Sequence, residues 1–248
     1  FNGIPCDMKK INSLANEIEA YVVEDCAIAL NAKIDGIPVG LWGDVGCFSF
    51  HPVKQMTTGE GGMMITRRDE LAERLKIERA FGVDRSFRER SVPGVYDVPV
   101  LGFNYRMSEL SAAIGCAQIR KFDELESCRE SNYRYLLSRL AAMPQLEVKG
   151  ADLSQDRGFY TCIVKVVNTV ADRNLVINKL RTYGIQPSVY YPHPVPRLAY
   201  YQQRYGYDSR KFPNAEIFAD CCVALPIGAH LTVTDMEKIA EALQESIA

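Results

Sequence analysis

The sequence predicts an α/β chain built in two units, on three observations. Short apolar runs such as YVVE at 21–24 alternate with helix-patterned stretches, as strands buried between helices do. A charged, leucine-bearing stretch from Asp123 to Met143 is long enough to form one linking helix. Beyond it the alternation resumes on a smaller scale. The first unit is therefore set at 1–122 and the second, with the linking helix, at 123–248.

The chain opens FNGIPCDMKK, without an initiator methionine, and residues 1–6 read as the tail of a strand or loop already under way. Asp7 is the expected N-cap of a helix over 8–20, whose Ile11, Leu14, Ala15 and Ile18 share one face. The run at 21–24 suits a buried parallel strand and ends in Glu24 and Asp25. Gly36 and Gly40 punctuate a turn region, strands follow at 45–50 and 61–66, and a charged helix at 69–80. Segment 82–99, with Pro93 and Pro99, is a long loop of the kind that tends to be functional inside compact domains. Helical periodicity returns at 108–122, with Ser108 and Ser111 as candidate N-caps, and Pro144 stops the linking helix. The second unit then reads as a strand at 160–167, a helix at 170–183, a proline-rich loop at 187–196 and a final helix from Thr234.

Composition excludes several classes. Of 248 residues, 47% are hydrophobic and 24% charged, as in an ordinary globular protein. A net charge of -2 and a pI near 6.0 supply no basic field for nucleic acid or an anionic membrane. No apolar run approaches the length that spans a bilayer, and the start carries no secretory signal pattern. The 8 cysteines form no CxxC pair, and Cys221 and Cys222 lack a second pair, so no metal centre is expected. They read as reduced core thiols of a cytoplasmic protein.

The chemistry concentrates in CFSFHPVKQMTTGEGGMMIT, residues 47–66. Lys54 stands between two apolar runs, where a lysine needs a partner, an escape to solvent or a task. Asp25 ends one strand, Ser49 ends the next, and Lys54 follows it. Ligands of open α/β sheets sit outside the carboxyl ends of the strands, so the three would face one crevice. An amine, a carboxylate and a hydroxyl there suit pyridoxal phosphate. The amine forms a Schiff base, the carboxylate pairs with the pyridinium nitrogen and the hydroxyl binds a phosphate oxygen. Each residue also has a plain reading, and spacing alone stops at a candidate lysine-dependent cofactor site.

A wider pattern adds to this. VEDCAIAL (23–30), GDVGCFSFHPVKQMTTGEGGMMIT (43–66), GFNYRMSELSAAIGCAQI (102–119), YGIQPSVYYP (183–192) and FPNAEIFADCCVALPIG (212–228) together closely resemble the DegT/StrS type of sugar aminotransferase. The resemblance implies a fold-type I pyridoxal-phosphate enzyme. Residues 1–122 would be the C-terminal portion of its large domain, with a mostly parallel sheet, and 123–248 its smaller C-terminal α/β domain. It also implies amino transfer, usually from glutamate, to a keto group on a nucleotide-linked sugar for polysaccharide or glycoside synthesis.

Carried over position by position, Lys54 matches the family's Schiff-base lysine, Asp25 the carboxylate on the pyridine nitrogen and Ser49 a phosphate ligand. Asn104 matches an asparagine that reaches the phosphate of the neighbouring subunit's cofactor, which implies a homodimer with shared active sites. Arg106, in the same motif, is expected either to steady the site or an anionic substrate, or to be a structural arginine that pairs with a carboxylate such as Glu109. Tyr190, Tyr191 and His193 lie in the loop that resembles the family's substrate-facing segment, a rigid aromatic wall. His51 reads as a loop histidine flanking the site and Trp42 as packing. Arg85, Arg88 and Arg90 read as pyrophosphate ligands or solvated loop residues.

Two departures stand out. Where the family usually has glutamine three residues after the aspartate, this chain has Ile28, which cannot hydrogen-bond. The N-terminal part of the large domain, with its phosphate-binding helix N-terminus, is expected to be missing. The alternative is therefore a remnant that keeps the fold and dimer surface without binding cofactor. Lysine at position 54, rather than histidine, argues against the family's dehydrating subset.

Overall fold

The computed structural model describes residues 1–84, 91–152, 156–166 and 170–247, so Arg85, Arg88 and Arg90 lie outside the described residues. The chain divides into two compact units. One contains Gly3–Phe122 with Gln155–Gly158, the other Asp123–Ser154 with Phe159–Ala248.

In the first unit, helix α1 spans Met8–Glu17, and the Asp7 carboxylate accepts the Lys10 N–H at 3.2 Å as its cap. It stops before residue 20 because Glu19 takes a left-handed φ of 53°, which ends a helix. Strand β1 is Val23–Asp25, and strands β2 (Lys33–Ile34) and β3 (Ile37–Pro38) form a hairpin. Its turn residues, Asp35 and Gly36, both have positive φ, as a tight type I′ turn demands. Strand β4 (Val45–Ser49) runs parallel to β1, with Val23 opposite Val45 and Asp25 opposite Cys47. Strand β5 (Gly62–Ile65) flanks β4 on its other side in the order β1-β4-β5 and pairs with it antiparallel. The connection from β4 to β5 carries no crossover helix, so the chain can only return in the opposite direction. Helices α2 (Asp69–Glu78) and α3 (Glu109–Ile119) follow, and Ser108 caps α3 by accepting the Ser111 N–H at 3.1 Å. Cys26, Ala29, Ala32 and Val39 form a small core against Phe48.

In the second unit, helix α4 (Phe122–Leu140) turns Tyr133, Leu136 and Leu140 inward at helical spacing. A fully antiparallel sheet, β6 (Glu147–Lys149), β7 (Cys162–Lys165) and β8 (Cys222–Leu225), runs in the order β6-β7-β8. Its helices are α5 (Val170–Thr182), α6 (Ala199–Tyr205), α7 (Pro213–Cys221) and α8 (Val233–Ile247). Strand alternation sends Cys162, Val164, Val223 and Leu225 into the main core with Leu180, Met236 and Leu243. Ile163, Cys222 and Ala224 go to the opposite face, beside Tyr190 and Phe218.

Cysteine burial corrects the uniform core-thiol expectation. Cys26, Cys162, Cys221 and Cys222 are buried, but Cys6, Cys116 and Cys128 are exposed. Cys116 sits on α3, which has no buried residue. Burial, before any neighbouring charge, pushes the Cys26 thiol up to about 12 and Cys222 up to about 11. Among the described residues no helix is long and apolar enough to cross a membrane, and no cluster of three His, Cys, Asp or Glu could hold a metal ion.

Candidate functional site

The parallel register of β1 and β4 brings Asp25 and Ser49 to the same edge of the sheet, each as the last residue of its strand. Period-2 alternation separates the roles of Glu24 and Asp25. Glu24 is buried and accepts backbone N–H bonds from Gly40 (2.7 Å), Trp42 (2.8 Å) and Gly43 (2.7 Å). Asp25 is exposed and accepts the Ala27 N–H at 3.0 Å, which closes a turn at the strand end. After burial, the Asp25 charge is the second cause that pushes the Cys47 thiol up, which sets this carboxylate against β4. Sequence reasoning missed Glu24, whose signal was only its place in a strand centre, where a charge needs partners.

Lys54 lies in the loop that leaves β4. His51 accepts its backbone N–H at 2.9 Å, and the side chain is half-buried. The loop is clamped at both ends. Phe50 donates to the Gly61 carbonyl and accepts from the Thr58 N–H, each at 2.9 Å. Phe50 and Met56 are buried, and Gln55, next to the lysine, donates from Nε2 to the Leu30 carbonyl at 3.1 Å. The GEGG turn is sterically required: a Cβ on Gly61 would lie 2.3 Å from Thr58 Oγ1. Ser49 Oγ faces the His51 N–H at 3.4 Å, and His51 Nε2 lies 3.9 Å from Glu60. An amine, a carboxylate and a hydroxyl thus come from one strand edge and the loop that continues it, a donor set that fits pyridoxal phosphate. Ile28, half-buried in the turn after β1, adds no hydrogen bond to it.

Asn104 is exposed and forms an isolated bridge with Ala80, between ladder bonds from Phe103 to the Glu78 carbonyl and from Tyr105 to the Arg79 carbonyl. Of the two readings of Arg106, the pairing with Glu109 is not seen among the described residues. Its guanidinium lies 4.5 Å from the centroid of the Phe81 ring. Trp42 accepts from Asn12 at 2.8 Å and donates from Nε1 to Ile37 at 3.4 Å, a packing role.

In the second unit, Tyr190 packs against Tyr160 at 5.8 Å and against Tyr191 at 5.6 Å. Burial, then the hydrogen bond with Tyr190, pushes the Tyr160 hydroxyl well above the usual tyrosine range. His193 is exposed, and its Nδ1 accepts from Arg197 Nε at 3.1 Å. Arg197 is itself gripped by Asp220 (2.5 and 2.8 Å), Glu216 (2.6 Å) and the Pro192 carbonyl (3.1 Å). The Arg197 hydrogen bond holds the Asp220 carboxyl below the usual carboxylate range. No local pattern announced Arg197, because its partners lie 19 and 23 residues away.

Known proteins share this architecture. GDP-perosamine synthase of Caulobacter vibrioides is 33% identical over 247 residues, covering 98% of this chain and 63% of that protein. The chain thus spans less than two thirds of that curated relative's length. The structure of DesV from S. venezuelae is 28% identical with a TM-score of 0.87, covering 100% of this chain and 63% of its own. The PLP-form of Spr1654 from Streptococcus pneumoniae shares the fold with a TM-score of 0.88 at 23% identity, covering 100% of this chain and 66% of its own. Residues 1–244 match the DegT/DnrJ/EryC1/StrS aminotransferase family, and the chain belongs to it.

Proposed function

We propose that this protein is a pyridoxal-phosphate-dependent aminotransferase that moves an amino group, from glutamate, to the keto group of a nucleotide-linked sugar in the cytoplasm. The observation that carries the reading is the shared edge of β1 and β4, with Asp25 and Ser49 at their carboxyl ends and Lys54 in the clamped loop beyond. Family membership and the name of GDP-perosamine synthase support the substrate class.

When bound, pyridoxal phosphate supplies an aldehyde for the lysine amine and a cationic ring that takes up electrons. The residues of this chain do the rest. Lys54 Nζ would hold the cofactor and would move a proton at the amino donor's α-carbon. Asp25 would pair with the ring nitrogen and keep it protonated. Ser49 Oγ would donate to a phosphate oxygen. Asn104 reaches the phosphate of a second subunit's cofactor, so the working form is a homodimer; the exposed Phe81, Phe103 and Tyr105 around it suit a subunit contact. Tyr190, Tyr191 and His193 are the residues we assign to sugar contact in the second unit, and Arg106 the residue assigned to an anionic group. Donor and acceptor would use one site in turn, which gives ping-pong kinetics.

The test is absorbance after addition of pyridoxal phosphate to the wild type and to Lys54→Ala, with borohydride reduction and peptide mapping. A visible band, trapped on the Lys54 peptide and lost in the variant, is expected; no band in either protein would overturn the reading. Ile28 favours a second reading, a chain that keeps the fold without binding cofactor. Stoichiometric loading excludes it.

A further inference from the structure

One guanidinium of the second unit has all five of its N–H donors engaged. Arg197 Nε donates to His193 Nδ1 at 3.1 Å, and Nη2 donates to the Pro192 carbonyl at 3.1 Å and to Asp220 at 2.5 Å. Nη1 donates to Asp220 at 2.8 Å and to Glu216 at 2.6 Å. Glu216 and Asp220 stand one helical turn apart on α7, so both reach the same group. Asp220 meets the fork with both carboxylate oxygens, which fixes the guanidinium plane. That plane in turn holds two consecutive loop residues, five and four positions before the arginine. The loop between is stiff: Pro192, Pro194 and Pro196 each fix a φ, and Pro194 is buried. His193 itself is exposed, and its Nε2 makes no hydrogen bond among the described residues.

We propose that Arg197 is a positioning residue that holds His193 as a neutral donor, its Nε2–H presented to an uncharged oxygen of the acceptor sugar. A ring nitrogen that accepts an N–H carries no proton, so a neutral imidazole gripped at Nδ1 keeps its proton on Nε2. Unheld, the ring turns freely in water and mixes both tautomers. Two carboxyl groups compensate the guanidinium, so His193 does not stand in the open positive field that attracts a phosphate. A hydroxyl or keto oxygen suits an uncharged donor. Lysine cannot replace the arginine here, because an ammonium lacks the planar fork. The sugar as partner rests on the aminotransferase reading above; the clamp on His193 rests on the Arg197 geometry alone.

The test has two arms. In the first, the full chain carrying nitrogen-15-labelled histidine is read by long-range proton–nitrogen correlation at about pH 9, where imidazole is neutral. The chain has 3 histidines, His51, His193 and His230, and His193→Ala assigns the signal. The wild type is expected to show one tautomer, protonated on Nε2, and Arg197→Lys a mixture of both. Asp220→Asn loosens only one side of the fork and should give a smaller change in the same direction; it decides the matter if the lysine variant does not fold. An arginine that merely braces the fold would not move the tautomer. A mixture in the wild type, or a single tautomer in both variants, overturns the proposal. The second arm is calorimetric titration with GDP-mannose and UDP-N-acetylglucosamine, beside GDP and UDP. His193→Ala and Arg197→Lys should weaken whichever nucleotide sugar the wild type binds by about three- to tenfold and leave its parent nucleotide unchanged. Equal losses for both, no loss in either variant, or failure of both nucleotide sugars to bind overturns the sugar contact. Cofactor loading at Lys54, measured on the same samples, separates the two claims. Loading with unmoved sugar affinity removes the role of Arg197 and keeps the aminotransferase; a fixed tautomer and variant-sensitive sugar binding without loading do the reverse.

Discussion

The two units of this chain meet the burial requirement in opposite ways. The second packs Tyr133, Leu136, Leu180, Leu225, Met236 and Leu243, each fully buried, around one antiparallel sheet. The first buries Cys26, Ala29, Ala32 and Val39 as its cluster, while Leu101 and Leu110 stand 83% and 80% exposed. Apolar burial stabilises in proportion to area, so small side chains contribute little. Polar pairing does more in the first unit: three N–H groups converge on Glu24, and Phe50 closes the lysine loop from both sides. Lys54 thus lies on a loop held by hydrogen bonds in a thin-cored unit. The tyrosine and histidine loop is pinned, through Arg197, to a densely packed one.

Five substitutions test that contrast. The largest effect belongs to Lys54→Ala. It should lower amino transfer by at least about 10²–10⁴-fold with the melting midpoint unchanged. A matching loss of stability would make Lys54 part of the scaffold instead. Leu136→Ala should cost about 2–5 kcal/mol in urea denaturation, since its cavity opens in the centre of a dense core. Glu24→Gln turns an amide against one of three N–H donors, so a cost of about 1–3 kcal/mol is expected from the same assay. A neutral result would show that the loop at 40–43 is held by something other than this carboxylate.

The fourth concerns acid. The Asp220 carboxyl is depressed from its ordinary 3.8, first by the Arg197 hydrogen bond. A depressed carboxyl adds stability that is complete above the unfolded value and lost as pH falls through the folded value. The urea midpoint should therefore decline below pH 3.8, and less steeply in Arg197→Met. Equal slopes would exclude the pair as a source of acid lability. The smallest effect is expected at Leu110, exposed on α3. Leu110→Ser should change stability by no more than about 0.5 kcal/mol. A larger loss would mean that this face is covered in the assembled protein, and would narrow the contrast between the units.

Local patterns in the sequence were legible where the physics is local. Asp7 and Ser108 announce their helices because a cap needs only a side-chain oxygen and an N–H two or three residues on. The runs at 45–50 and 61–66 announce strands through their apolar residues, and the single lysine between them draws attention because an amine there is costly without a task. The hairpin at 33–38 went unread although Asp35–Gly36 is a strong turn signal, because its strands are only two residues long. Strand β8 and helix α7 were hidden for another reason. Cys221 and Cys222 join them without a break, so no turn residue marks the change.

By itself the sequence determined the family, through motifs that set a carboxylate and a hydroxyl at strand ends and an amine in the loop beyond. Tertiary structure alone decided the three-fold capture of Glu24 and the grip of Asp220 and Glu216 on Arg197. Each of these depends on groups brought together from distant positions, where spacing along the chain carries no information. α3 makes the same point in reverse. Its residues ELSAAIGCAQI are apolar enough for a core, yet none is buried, because burial is a property of what packs against a helix and not of its composition.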